Sequence, residues 1–241
     1  HTGIRRQRQM CIRDRASISV IHKLKGHYLD TKHPIIMENL HGIKRTLGSR
    51  QKAKKPILIN HLKLIIKALD EEKKEKLRNR ALILVGFAGG FRRSELVNLE
   101  NDDIEFVDEG VKILIKRSKT DQSGEGVIKA IPYFDNQEFC PVIALKEYMK
   151  FKSETSINKK IFEISDKSVA LIIKRYAEIA GLDPSRYAGH SLRSGFATTA
   201  AEFGAEERNI MAMTGHKTTQ MVRRYIKEAN LFKNNALNKI K

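Results

Sequence analysis

Five side chains carry the chemistry open to this sequence. Arg92 lies mid-chain, and His190, Arg193, His216 and Tyr225 fall in its last quarter. Four are cations or proton carriers, the fifth is a nucleophile, and none is a carboxylate or a thiol. Such a set suits a metal-free reaction at an anion, in which guanidinium and imidazole groups hold negative oxygens while a phenol attacks to form a covalent intermediate. The anion that fits is a phosphodiester. Arg92 sits in Gly90-Phe91-Arg92-Arg93-Ser94-Glu95-Leu96, just after a glycine turn where a helix begins. A guanidinium there can fork onto two phosphate oxygens, aided by free backbone N–H groups. Glu95, one turn on, can pair with Arg92 or with another group of the site. In Gly189-His190-Ser191-Leu192-Arg193 the histidine and arginine are three apart and share a helix face. Tyr225, in Met221-Val222-Arg223-Arg224-Tyr225, lies nine residues past the histidine of Gly215-His216-Lys217. Taken singly, each has an ordinary reading: a surface arginine, a histidine at a helix start, a core tyrosine. The ordered set carries the weight.

The surrounding chain is strongly basic. Its 46 lysines and arginines against 28 acidic residues give a net charge of +18 over 241 residues. A charge this large, spread along the chain, points to a polyanion, with nucleic acid ahead of a membrane surface or an acidic protein. The hydrophobic fraction of 41% and the length allow a real core in one large domain or two small ones. There is no long apolar run and no signal-like N-terminus, so the expected setting is cytoplasmic. Two cysteines, Cys11 and Cys140, agree with a reducing compartment. No cysteine–histidine spacing suits zinc, and the carboxylate clusters of a metal-dependent nuclease are missing, so no metal and no cofactor are expected.

The elements that must position these residues are mostly helices. Residues 1–15 stand apart: the run Gln9 to Arg15 resembles one reading frame of a sequencing-library adapter, with a basic DNA-gripping arm as the alternative. Apolar residues at helical spacing over 16–26 and 34–47 predict two helices, the end of a helical domain whose start is missing. Residues 49–56 are polar and basic and end in Pro56, a linker suited to lie along phosphates through Arg50, Lys52, Lys54 and Lys55. Amphipathic helices are predicted over 59–69 and 73–88, the second stopped by Gly89-Gly90. A short helix over 94–99 follows, then strands over 104–107, 111–116 and 127–132 with a polar turn from Ser118 to Gly126. Cys140-Pro141 opens a helix to about residue 151, and helices over 167–180, 190–203, 206–213 and 218–229 complete the pattern. The expected fold is α+β, mainly α: a helical catalytic domain with a small three-stranded antiparallel sheet, preceded by a remnant of an all-α domain. Residues 231–241 form a tail, either frayed or packed on a neighbour.

The ordered set resembles the tyrosine recombinase (phage integrase) family. That family's pattern is an arginine in a Gly-x-Arg-x-Ser-Glu-Leu stretch, a hairpin lysine, His-x-x-Arg, Gly-His and a nucleophilic tyrosine. This sequence supplies Arg92, Lys119, His190 with Arg193, His216 and Tyr225 in that order, and Glu95 at the supporting acidic position. The resemblance covers residues 57 to 230, and residues 16–48 are similar to the tail of the family's core-binding domain. It implies a site-specific recombinase or integrase of a mobile element that cleaves and rejoins double-stranded DNA through a 3′-phosphotyrosine. Arg92 and Arg193, with His190 and His216, would stabilise the nonbridging oxygens. His190 is the candidate base, and Lys119 protonates the departing 5′-oxygen. Lys116, Arg117 and Lys129 are rivals for that last role, and Arg93 is a further DNA contact. The partners implied are duplex DNA, a homotetramer on paired sites and an accessory directionality factor. Two alternatives stay open: a type IB topoisomerase-like enzyme, which shares the tyrosine chemistry, and a non-catalytic DNA-binding remnant.

Overall fold

The structure, a computed structural model, describes residues 14–47, 54–70, 72–116, 126–156, 158–230, 232 and 236–240. The chain divides into two compact units, His1–Ala53 and Lys54–Lys241. The first contains helix α1 (residues 14–24) and helix α2 (Pro34–Leu47). Helix α1 takes in Asp14 and Arg15, two residues earlier than the apolar spacing predicts. Among the described residues no helix is long and apolar enough to cross a membrane.

The second unit runs α3 (Ile59–Lys67), α4 (Lys73–Ala88), α5 (Arg93–Val97), β1 (Ile104–Val107), β2 (Gly110–Ile115), β3 (Val127–Pro132), α6 (Pro141–Thr155), α7 (Asp166–Ile179), α8 (Ser191–Glu202), α9 (Glu207–Thr214) and α10 (Thr219–Ala229). The mainly helical fold with one small antiparallel sheet is as predicted. The strands lie in the order β1-β2-β3, with Ile104 opposite Ile113 and Val111 opposite Ile131. Alternation turns Val111, Ile113 and Ile115 of β2 inward. The same alternation on β3 turns Ile131 inward together with Lys129, which puts a lysine on the apolar face. The turn predicted at 118–126 lies, up to residue 125, outside the described residues. Helix α6 runs past residue 151 to Thr155 because its last turn is tied down by Lys152, whose ammonium donates to the carbonyls of Asn158 and Lys160.

Helix α4 departs from the amphipathic expectation. Every residue from Ala81 to Ala88 is buried, so its second half is apolar all round and forms the centre of the unit. It packs against α6 on one side and α8 on another. Helix α8 in turn packs on α9 and α10. It bridges two cores: Leu192 belongs to the large one, and Ala197 and Ala201 to a small one shared with Ile210, Val222 and Tyr225. The start of α8 therefore sits between the bulk of the domain and the helix that carries the tyrosine.

A strap from the expected linker holds that start. The Lys55 backbone N–H donates to Arg186 O at 2.7 Å, the Ile57 N–H donates to Ser191 O at 2.9 Å, and the Lys54 ammonium donates to Ser185 O. The approach is close because Gly195 offers no side chain: a Cβ there would lie 2.0 Å from Ile57 O. Gly195→Ala must push α8 off the strap, and overpacking of this kind costs roughly 1–3 kcal/mol. Urea unfolding of the variant should show a lower midpoint with an unchanged slope; a midpoint equal to that of the parent chain would contradict the packing described.

Candidate active site

The site is built around one turn. Helix α4 ends at Gly89, and Gly90 adopts a left-handed backbone (φ 55°) that residues with a Cβ resist. The chain then extends through Arg92, which caps the N-terminus of α5. Two buried cations fasten the turn from different elements. Lys129 Nζ, from β3, donates to Gly89 O at 2.7 Å, and Arg193 Nη1, from α8, donates to Gly90 O at 2.8 Å. The Lys129 ammonium also lies 4.3 Å from the centre of the Phe91 ring, whose face is electronegative. Burial pulls the pKa of Lys129 down to about 8; Arg193 and Arg92 push the same way, and Glu95 opposes them. Burial likewise lowers Arg193 to about 10, with Arg92 adding to the effect.

Glu95 holds Arg92 twice. Its Oε1 pairs with the Arg92 guanidinium, and its Oε2 accepts the Arg92 backbone N–H at 2.9 Å. This is one half of a capping box, and it corrects the expectation that this N–H stands open to an anion. The other face of the guanidinium reaches Gly215 O at 3.5 Å.

Arg92, His190, Arg193, His216 and Tyr225 all line one cavity of about 620 Å³. His190 is the N-cap of α8, and Arg193 follows one turn later with 1% of its surface exposed. His216 follows the left-handed Gly215 at the end of α9. Tyr225 is 4% exposed; its ring packs in the small core, 5.9 Å from the His216 ring centre and 5.4 Å from the Arg224 guanidinium. Both histidines are held toward the neutral form. Burial lowers His190, and then the fields of Arg193, Arg224, Arg92 and Arg93 act in the same direction. Burial followed by Arg193, Arg92, His190 and Arg224 takes His216 to about 4. The cavity thus carries an excess of positive charge.

Comparison with known proteins covers the stretch that carries this cavity. The sequence pattern of the phage integrase family matches residues 55–231. The chain belongs to that family. It is 44% identical over 225 residues to the integrase/recombinase xerD homolog of Selenomonas ruminantium, covering 89% of this chain and 66% of that protein's length. The fold is similar to that of XerH recombinase bound to a palindromic difH substrate (TM-score 0.60, 19% identity, 80% of this chain and 57% of that one). It is also similar to lambda integrase in a tetramer bound to a Holliday junction (TM-score 0.52, 18% identity, 90% and 64%).

Not every residue singled out in this integrase-family sequence reaches the cavity. Lys119, its rival Arg117, and the linker residues Arg50 and Lys52 lie outside the described residues. Lys116 is paired with Glu100 and Asp103, each at 2.8 Å, and Lys129 is buried at the Gly89 carbonyl. The two rivals of Lys119 among the described residues, Lys116 and Lys129, are therefore engaged away from the cavity. Arg93 crosses Gly189 to Asp166, where Nη1 donates to the backbone O at 3.5 Å and Nη2 lies 3.9 Å from Oδ2. The side chains of Lys54 and Lys55 are exposed. Sequence reasoning missed Gln220, Met221 and Arg224, which also line the cavity. Their signal was present: with Tyr225 they recur at helical spacing along one face of α10. It missed the place of Lys129 altogether, because a lysine on an alternating strand reads as solvated.

The depressed pKa of Lys129 has a testable consequence. Below about 8 the cost of burying its charge is fully present, because the residue is protonated in both states. Between about 8 and the ordinary lysine value the unfolded chain binds more protons, so stability rises with pH. Lys129→Met should remove that rise. Unfolding free energies measured from neutral pH to about 10.5 should show the parent chain gaining up to about 3 kcal/mol on the variant; parallel curves would refute the burial of a charged lysine.

Proposed function

We propose that this chain is a site-specific DNA recombinase that cleaves and rejoins double-stranded DNA through a 3′-phosphotyrosine. The observation that carries the reading is the surplus of positive charge that Arg92, Arg193 and Arg224 bring to the cavity of Tyr225, which adds to burial in holding His190 and His216 toward neutrality. A phosphodiester is the anion that would relieve it.

In this reading the scissile phosphate enters the cavity and receives guanidinium N–H groups of Arg92 and Arg193 on its nonbridging oxygens, where charge grows in the transition state. Tyr225 Oη attacks phosphorus as its proton passes to His190, whose neutral imidazole can accept it. The bond from phosphorus to the 5′-oxygen breaks, and that oxygen takes a proton from Lys119, the residue the family pattern indicates. One phosphodiester is exchanged for one phosphotyrosine, so the bond energy is kept and neither ATP nor a metal is required. A 5′-hydroxyl from another strand reverses the attack and completes the exchange. Glu95 acts through Arg92, holding the guanidinium and its backbone.

Residues 57–230 act as the catalytic domain in this reading. The basic linker 49–56, with Arg50, Lys52, Lys54 and Lys55, and the helices before it grip the duplex. The tetrameric assembly of the lambda integrase neighbour supports a homotetramer on paired sites. A directionality factor would bias the outcome. The DNA-bound recombinases among the structural neighbours favour strand exchange over a topoisomerase.

The decisive experiment is covalent trapping on a nicked suicide duplex. Tyr225→Phe should bind the duplex and form no adduct, and Arg92→Ala and Arg193→Ala should each lose about 100-fold or more in adduct formation. An undiminished adduct from Tyr225→Phe would refute the tyrosine assignment, and no adduct from the parent chain would leave a DNA-binding protein without catalysis. Two-site recombination exceeding plasmid relaxation separates the recombinase from the topoisomerase-like alternative. Affinity for duplex DNA should fall steeply as salt is raised, because released counterions drive binding; a flat dependence would argue against a phosphate-dominated interface.

A further inference from the structure

The hydrogen bonds around Thr214 decide where His216 carries its proton. Thr214 ends α9 and is 1% exposed, and the left-handed backbone of Gly215 (φ 62°) turns His216 back over the helix end. Thr214 Oγ1 lies 2.6 Å from Ile210 O and 2.7 Å from His216 Nδ1. A hydroxyl has one proton to give, and a carbonyl has none. If that proton went to the imidazole, two oxygens would face each other at 2.6 Å with no hydrogen between them. It therefore goes to Ile210 O, the bond threonine commonly makes four residues back along a helix. The contact with the ring must then be donated by Nδ1–H. Neutral His216 is protonated on Nδ1 and bare on Nε2.

A bare nitrogen cannot donate to a phosphate oxygen, so this tautomer is not the one a bound phosphodiester calls for. We infer that Thr214 is a positioning residue that holds neutral His216 in the Nδ1–H tautomer, so that Nε2 meets the cavity as an acceptor and takes up a proton from solvent only when a phosphodiester arrives. The first half rests on the Thr214 geometry alone; the second rests on the proposed recombinase reading. The charges facing His216 come from every element around it: His190 and Arg193 from α8, Arg92 from the cap of α5, and Arg224 beside Tyr225 on α10. Together with burial they keep the ring neutral while the cavity lacks an anion. A phosphodiester offsets those charges, and the ring can then hold protons on both nitrogens, giving Nδ1–H to Thr214 and Nε2–H to a nonbridging oxygen. The cationic donor is formed by the ligand it serves.

Nitrogen-15 NMR of the full chain, with the His216 signals assigned by their loss in His216→Gln, tests this directly. The parent chain and Thr214→Ser, which keeps the hydroxyl, should show the proton on Nδ1 and a bare Nε2 near neutral pH. Thr214→Val should lose that preference and cut adduct formation on the suicide duplex about tenfold, as removal of a histidine-orienting partner commonly does. Adding a short mixed-sequence duplex to Tyr225→Phe should bring a proton onto Nε2. A proton on Nε2 in the free parent chain, or a Thr214→Val spectrum matching the parent's, would overturn the positioning role. A bare Nε2 in the duplex-bound state would overturn the proton uptake. Should Thr214→Val not fold, the parent spectrum still decides the tautomer. A missing tyrosine adduct would end the recombinase reading while leaving the tautomer result in place.

Discussion

Like charges gathered at one cavity repel, and the fold must hold them there before any anion arrives. Arg92 and Arg193 converge beside Tyr225, with the Lys129 ammonium just behind the same turn. The structure meets the repulsion with oxygen acceptors rather than with an equal number of carboxylates. Gly89 O takes Lys129, Gly90 O takes Arg193, and Glu95 pairs with Arg92. Carbonyl dipoles hold a buried cation without cancelling its charge, so the surplus remains available to a ligand.

The choice of a glycine turn as the anchor follows from this. Two successive carbonyls must point at cations arriving from two directions, one from a sheet and one from a helix. The left-handed backbone at Gly90 brings that about, and the chain leaves it already extended for Arg92 to cap α5. The residue that caps the helix, the residue that holds the cap and the two that hold the turn are thus one unit. Helix α8 completes it, carrying Arg193 into the turn on one side and sharing a small core with Tyr225 on the other.

The electrostatics also bear on how an imidazole can serve in such a site. Burial and the surrounding guanidinium groups disfavour the imidazolium form, so a histidine in such a site stays neutral until an anion enters. His190 and His216 are both shifted in that direction, yet their surroundings differ. His216 is tied through Nδ1 to a buried threonine hydroxyl, whereas His190 caps a helix and opens to the cavity. Two residues of one type can therefore hold different parts in one reaction.

Much of this was legible in the sequence. Helix and strand order followed from periodicity, and the five cavity residues followed from residue type and order along the chain. Charge alone pointed to a polyanion. Other features depended on contacts between distant segments, which no local pattern encodes. Lys129 read as a solvated strand lysine, and only the tertiary fold brought it from β3 to the Gly89 carbonyl. Local spacing could put Arg193 on a helix with His190, but its burial against Gly90 joins residues 103 apart. The tautomer of His216 needed the positions of three atoms at the end of α9, which are close in sequence but are set by the folded backbone. The sequence by itself determined which chemical groups were present and which secondary structures carried them, because those depend on composition and short-range spacing. The tertiary structure decided which carbonyl each cation meets and how much water each group keeps, and those set the charge state on which the chemistry depends.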